Sequence, residues 1–209
     1  MRIRIVIIIL LFPLSLKSQV KEKFDRLYLN EEYKILVDYF DNVYGDQDFK
    51  LIENEVLSYY VISKLKISSL ELGKSFISLN NIEIRNIKNY VDLSSDRYSD
   101  ILKYEFGKYQ YNNSKYKSAV KYLSKTSEYF DTDLMLGISY FNLKDFKAAK
   151  EYIEKIDPYN SNRNLLLGAI AYMENNYINS LEYLNKIESN DPIYQKALQY
   201  KISSYFFLK

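Results

Sequence analysis

The sequence predicts an all-α protein, and three observations carry that expectation. Glycine and proline are scarce, 5 and 3 in 209 residues, which leaves room for long uninterrupted helices. Apolar residues recur at helical spacing through three segments that begin at Tyr104, Leu134 and Leu165. Between the two halves of each segment sits a short polar stretch, NNSK, NLKD or ENN, of the kind that closes a tight turn. A chain of this length supports one domain or one short repeat array, and 47% apolar residues are enough for a packed core.

The chain opens with MRIRIVIIILLFPLSLKSQ, a basic start followed by the apolar run Ile5 to Phe12, Pro13 and a small residue at Ser18. This is the order of a secretory signal, so residues 1–18 are expected to be a signal peptide cleaved before Gln19. The apolar run is shorter than the roughly 20 residues a membrane-spanning helix needs. Membrane contact is therefore expected only through an uncleaved signal or through a partner.

Residues 19–94 are expected to form divergent helical repeats. Phe24 to Val43 fits a divergent first helix pair, with Tyr33, Leu36 and Phe40 in the places of its second helix. Leu57 to Asn80 fits a second pair broken at Ser68–Ser69, and 81–94 reads as helix without a clean repeat.

The clearest periodicity lies in residues 95–209. YEFGKYQYNNSKYKSAVKYLSK, LMLGISYFNLKDFKAAKEYIEK and LLLGAIAYMENNYINSLEYLNK align on Gly107, Gly137 and Gly168. Each glycine is followed by an aromatic (Tyr116, Phe146, Tyr177), then a small residue (Ala119, Ala149, Ser180), then an aliphatic (Leu123, Ile153, Leu184). Glycine inside a helix costs about 1 kcal/mol relative to alanine. Its repetition predicts a close helix–helix approach that a side chain would block, with the small residue serving the same approach from the other helix. LGISYFNLK, Leu136 to Lys144, is echoed by KISSYFFLK, Lys201 to Lys209, which places Ile202 at the glycine position and Tyr205 opposite Tyr140.

This pattern resembles the tetratricopeptide repeat, with Pro158 and Pro192 near the expected repeat ends and a period slightly shorter than the usual 34 residues. The resemblance implies antiparallel helix pairs stacked into a right-handed superhelix. Together with the signal, the chain looks similar to exported tetratricopeptide-repeat proteins of Bacteroidota. The terminal echo then reads as the first helix of an incomplete repeat, so the chain is expected to be the N-terminal part of a longer repeat protein.

In that family the first helices line a concave groove. The resemblance implies a partner-binding row at Tyr111, Phe141, Tyr172 and Phe206, flanked by Tyr104, Lys108, Asn112, Ile138, Asn142, Ala169 and Met173. Aromatics packing neighbouring repeats together is the competing reading of the same row. A clamp for a terminal carboxylate would need a second Lys or Arg in register, and none follows Lys108.

Composition narrows the chemistry. With no Cys and no His, disulfides, thiolate metal sites and the commonest nucleophile and general base are missing. Of the 29 Lys and Arg, three (Arg2, Arg4, Lys17) lie in the acid-free start, leaving the rest of the chain one acid in excess. That balance lacks the basic excess of a nucleic-acid binder. Gly73-Lys74-Ser75 resembles the end of a phosphate-binding loop, but the required earlier glycine is Ser68. Gly73 is read instead as the small residue of a second repeat helix. Asp131, Asp133 and Asp145 fall where helices start, and Ser95 to Arg97 reads as a cap before Tyr98.

The expectation is thus a non-enzymatic scaffold of the periplasm or cell envelope, without catalytic residues, metal or small-molecule cofactor. It would hold a protein or peptide partner and no nucleic acid. The alternative is a structural or self-assembling envelope component that uses its open C-terminal helix.

Overall fold

A computed structural model describes residues 14–45, 47–70, 79–127, 129 and 131–209. The apolar run of the expected signal and the Gly73-Lys74-Ser75 motif lie outside them. Among the described residues there are eleven α-helices, one 3-10 turn (Phe49–Leu51) and no strand. In chain order the helices are α1 (Leu14–Leu29), α2 (Tyr33–Tyr44), α3 (Asn54–Leu70), α4 (Asn81–Leu93), α5 (Ser99–Asn112) and α6 (Tyr116–Leu123). They continue with α7 (Thr132–Asn142), α8 (Phe146–Ile153), α9 (Ser161–Met173), α10 (Tyr177–Leu184) and α11 (Tyr194–Phe207). The chain divides into two compact units, residues 1–109 and 110–209.

In the first unit α1, α2 and α3 pack on one another around Phe24, Leu36 and Phe40, all essentially buried. Aromatic rings fill this core. Phe40 stacks on Tyr60 at 3.7 Å and Tyr28 on Tyr59 at 4.2 Å, contacts that add to simple area burial. The pairing of α1 with α2 matches the helix pair read from Phe24 to Val43. The expected break at Ser68–Ser69 does not occur. α3 runs through both serines, and Ser68 satisfies its hydroxyl by donating to the Lys64 carbonyl one turn back at 2.7 Å.

The segment that fitted no repeat is α4, and its start has a local cause. Asn80 accepts from the Ile82 and Glu83 backbone N–H groups while Glu83 accepts from the Asn80 N–H, a complete capping box. Glu83 also takes a 2.6 Å ion pair from Lys64, tying α4 to α3. Before α5, Asp96 accepts from the Tyr98 N–H at 2.9 Å, as the cap reading of Ser95 to Arg97 requires.

The second unit is built from helix hairpins. α7 packs on α8 and α9 on α10, while α7 also meets α9, and α9 meets α11. Each hairpin has the same closing device. Ser114, Lys144 and Asn175 take φ of 57°, 63° and 61°, the left-handed conformation. Each donates its N–H to the carbonyl three residues back, and the next residue donates to the carbonyl five back. These are Schellman ends, which satisfy the last helix carbonyls. Glu31, φ 58°, makes the same two bonds between α1 and α2 in the first unit. The residue after the left-handed one then opens the next helix. Asp145 accepts from the Ala148 N–H and Asn176 from the Asn179 N–H. Asp131 occupies the N-cap position of α7, and Asp133 lies in its first turn.

Two of the aligned glycines, Gly137 and Gly168, sit at hairpin contacts. A Cβ on Gly137 would lie 2.5 Å from Ile153 Cγ1, and one on Gly168 would lie 2.5 Å from Leu184 Cγ and 3.2 Å from the Ser180 carbonyl oxygen. Hydrogen in place of a methyl lets α7 and α9 approach their partners, whose Ile153 and Leu184 are fully buried. The small residues Ala119, Ala149 and Ser180 are buried to the same degree.

Candidate functional site

The residues expected to form a binding row are positioned by the hairpin itself. Four residues after each glycine position, Tyr111, Phe141 and Tyr172 stand in the last turn before the left-handed residue. Each meets the aromatic that opens the second helix of its own hairpin. The ring centroids are 6.3 Å apart for Tyr111 and Tyr116, 5.8 Å for Phe141 and Phe146, and 5.7 Å for Tyr172 and Tyr177. All three row aromatics are half-buried, so each packs on one side and keeps the other accessible.

The flanking residues divide. Ile138 and Asn112 are half-buried, whereas Asn142 and Met173 are exposed. Asn142 spends its side-chain amide on the Ile138 carbonyl at 2.8 Å, so its oxygen remains as an acceptor. Ala169 is buried between helices and contributes packing instead of contact surface, which corrects its assignment to the row. Tyr104, in the first unit, is likewise buried, and the Lys108 ammonium stands 3.4 Å from its hydroxyl. Phe206 is exposed, and the ring that occupies the packing place is its neighbour. Phe207 stacks on Tyr177 at 5.0 Å and meets Tyr172 at 6.3 Å. That Phe207 and not Phe206 makes these ring contacts could not be decided from the echo alone.

The echo does hold in the core. Ser139 and Ser204, two residues after Gly137 and Ile202, are both fully buried. Ser204 donates to the Ser180 hydroxyl of α10 at 3.2 Å. Ile202 itself is exposed, on a face of α11 turned away from α9 and α10, the helices it packs on.

The most strongly perturbed acid lies in the first unit. Glu55, near the start of α3, accepts from the Tyr98 hydroxyl at 2.7 Å and the Tyr59 hydroxyl at 3.0 Å. It also pairs with Arg97 and, at 3.1 Å, with Lys21 of α1. The Tyr98 hydrogen bond is the main cause that holds its pKa down at about 2, with Lys21 and Tyr59 adding to it against the cost of burial. The Tyr59 hydroxyl is pushed up, first by burial and then by its bonds to Tyr98 and Glu55. A carboxylate held in its charged form by these four neighbours ties α1, α3 and the segment before α5 together.

Comparisons of the chain with family models, with curated proteins and with solved structures found no match. Among the described residues no helix is long and apolar enough to cross a membrane.

Proposed function

We propose that the protein is an exported, non-enzymatic scaffold whose second unit is a stack of tetratricopeptide-type helix pairs. Its row of Tyr111, Phe141 and Tyr172 holds an extended peptide or a helix of a protein partner. The observation that carries this reading is the half-buried state of all three rings. Each is braced by its hairpin partner, so it offers a rigid aromatic face at low entropic cost. Ile138 and Met173 supply apolar flanks and Asn112 and Asn142 supply polar ones.

The regular spacing of the Schellman turns and the close glycine approaches support the repeat assignment. Export rests on the basic and apolar start of the sequence. The test is selection of binding peptides from a displayed library, followed by fluorescence polarisation. Phe141→Ala and Tyr172→Ala are each expected to weaken selected peptides by about tenfold or more, with the far-UV circular dichroism unchanged. Peptides that bind both variants as tightly as the parent, or a library that yields none, would remove the reading.

A further inference from the structure

An open groove of about 690 Å³ runs between the start of α6 and the end of α7. Lys115, Tyr116, Lys117, Ser118 and Lys121 line one side and Leu143 the other, and no acid is among its lining residues. Its wall is mostly apolar, made by the Leu143 side chain, the half-buried Tyr116 and the stems of the three exposed lysines. Residues 110–127 hold four lysines and no acid. Beyond Leu143 the first acid is Asp145. It stands in sequence between Lys144 and Lys147, and its Oδ1 accepts the Ala148 N–H.

The fold does not repay these lysines. Lys115 is the N-cap of α6 and Lys117 lies in its first turn, the positive end of the helix dipole, where a cation is unfavourable. Lys117 and Lys121 stand four residues apart, a like-charge pair on one helix. The next two hairpins have Asp145 and Asn176 at the place of Lys115, and each accepts a backbone N–H there, which a lysine cannot do. No ion pair or side-chain hydrogen bond ties Lys115 or Lys117 to another described residue. Local rules broken without compensation inside the fold mark functional places.

We propose that this groove docks an acidic segment of a protein partner, one that carries an apolar side chain beside its carboxylates. The carboxylates meet Lys115 and Lys117, and the apolar side chain covers Leu143 and Tyr116. Charge complementarity selects an acidic occupant. The apolar wall selects a peptide over a nucleic acid, because a strand of phosphates would leave Leu143 uncovered. Residues 110–127 also contain no arginine, the side chain whose planar fork suits phosphate. No residue of the proposed aromatic row lines the groove, so binding here does not depend on the row.

The probe is a short fluorescein-labelled peptide with a leucine flanked by glutamates, titrated with the full chain and followed by fluorescence anisotropy. Lys115→Glu with Lys117→Glu should weaken binding by about tenfold or more, and half-molar salt should do the same. Glutamate suits the start of a helix, so this variant should melt no lower than the parent. Lys186→Glu with Lys196→Glu, the same charge change at exposed lysines elsewhere in the unit, should leave affinity within about twofold. Leu143→Ser should weaken the peptide by about threefold and leave a peptide with serine in place of leucine unaffected. Tyr172→Ala should change neither, which separates this groove from the row. Equal losses in the two lysine variants would reduce the binding to net charge and overturn the proposal. No saturable binding, or no loss in Lys115→Glu with Lys117→Glu, would overturn it too. A duplex oligonucleotide that displaces the peptide at equal or lower concentration would assign the groove to phosphates and overturn it. Self-association of the parent that the same double variant abolishes would assign it to a second copy, with the same result.

Discussion

Replacing Glu55 by Gln isolates the charge at the centre of the first unit's clamp. The amide oxygen still accepts from Tyr59 and Tyr98, but Arg97 and Lys21 lose their carboxylate. Lys21 retains Asp25 at 2.9 Å. Because the folded pKa, about 2, lies below the ordinary 4.5, ionised Glu55 stabilises the fold above pH 4.5. That contribution fades as pH falls through the folded value. The full difference of about 2.5 pH units corresponds to about 3.4 kcal/mol at 1.36 kcal/mol per unit. The carboxylate is one-fifth exposed and the Arg97 side chain 70% exposed, so solvent screening reduces this to about 1–2 kcal/mol. Urea titrations followed by far-UV circular dichroism should show Glu55→Gln less stable than the parent by that amount at pH 7. By pH 3 the gap should fall to less than half its pH 7 value, and near pH 2 it should almost vanish. An equal gap at pH 7 and pH 3 would refute the electrostatic account and leave a packing change as the cause.

Gly168→Ala should destabilise by about 2–3 kcal/mol, because its methyl meets the Ser180 carbonyl as well as Leu184. Gly137→Ala meets chiefly the movable Ile153 side chain and recovers about 1 kcal/mol of helix propensity, so thermal melts should rank it clearly milder. Lys144→Gly should raise stability by about 0.5–1 kcal/mol in urea titrations, since the exposed left-handed position strains any residue with a Cβ. For the buried Ser180–Ser204 pair, either single change to Ala should cost about 1–2 kcal/mol by stranding the other hydroxyl. The double variant should recover most of it, giving a measurable coupling in a double-mutant cycle.

Local chemistry made much of the second unit legible. The polar trimers and tetramers at 112–115, 142–145 and 174–176 fall on the turns because their backbone needs are met within six residues. The glycines Gly137 and Gly168 announced a close approach because nothing else justifies their cost inside a helix. The helix at 81–94 was legible although no repeat surrounds it, whereas the capping box of Asn80 and Glu83 that starts it emerged only from the structure. The break expected at Ser68–Ser69 failed for a local reason. Serine weakens a helix only mildly, and Ser68 returns its hydroxyl to the preceding turn.

The proposed binding row was half legible. Spacing from the glycine found Tyr111, Phe141 and Tyr172, but not that each leans on Tyr116, Phe146 or Tyr177, because that contact crosses a turn. Nor could spacing tell Ala169, which is buried, from Met173, which is exposed, since both flank the same helix. The sequence by itself determined the helices, the hairpin turns and the glycine contacts, all of which rest on interactions between residues near in the chain. Tertiary structure alone decided that Glu55 gathers Lys21, Arg97, Tyr59 and Tyr98, and that Phe207 and not Phe206 meets Tyr172 and Tyr177. Those outcomes depend on which helices meet in space, and residues distant in sequence carry no local signal of one another.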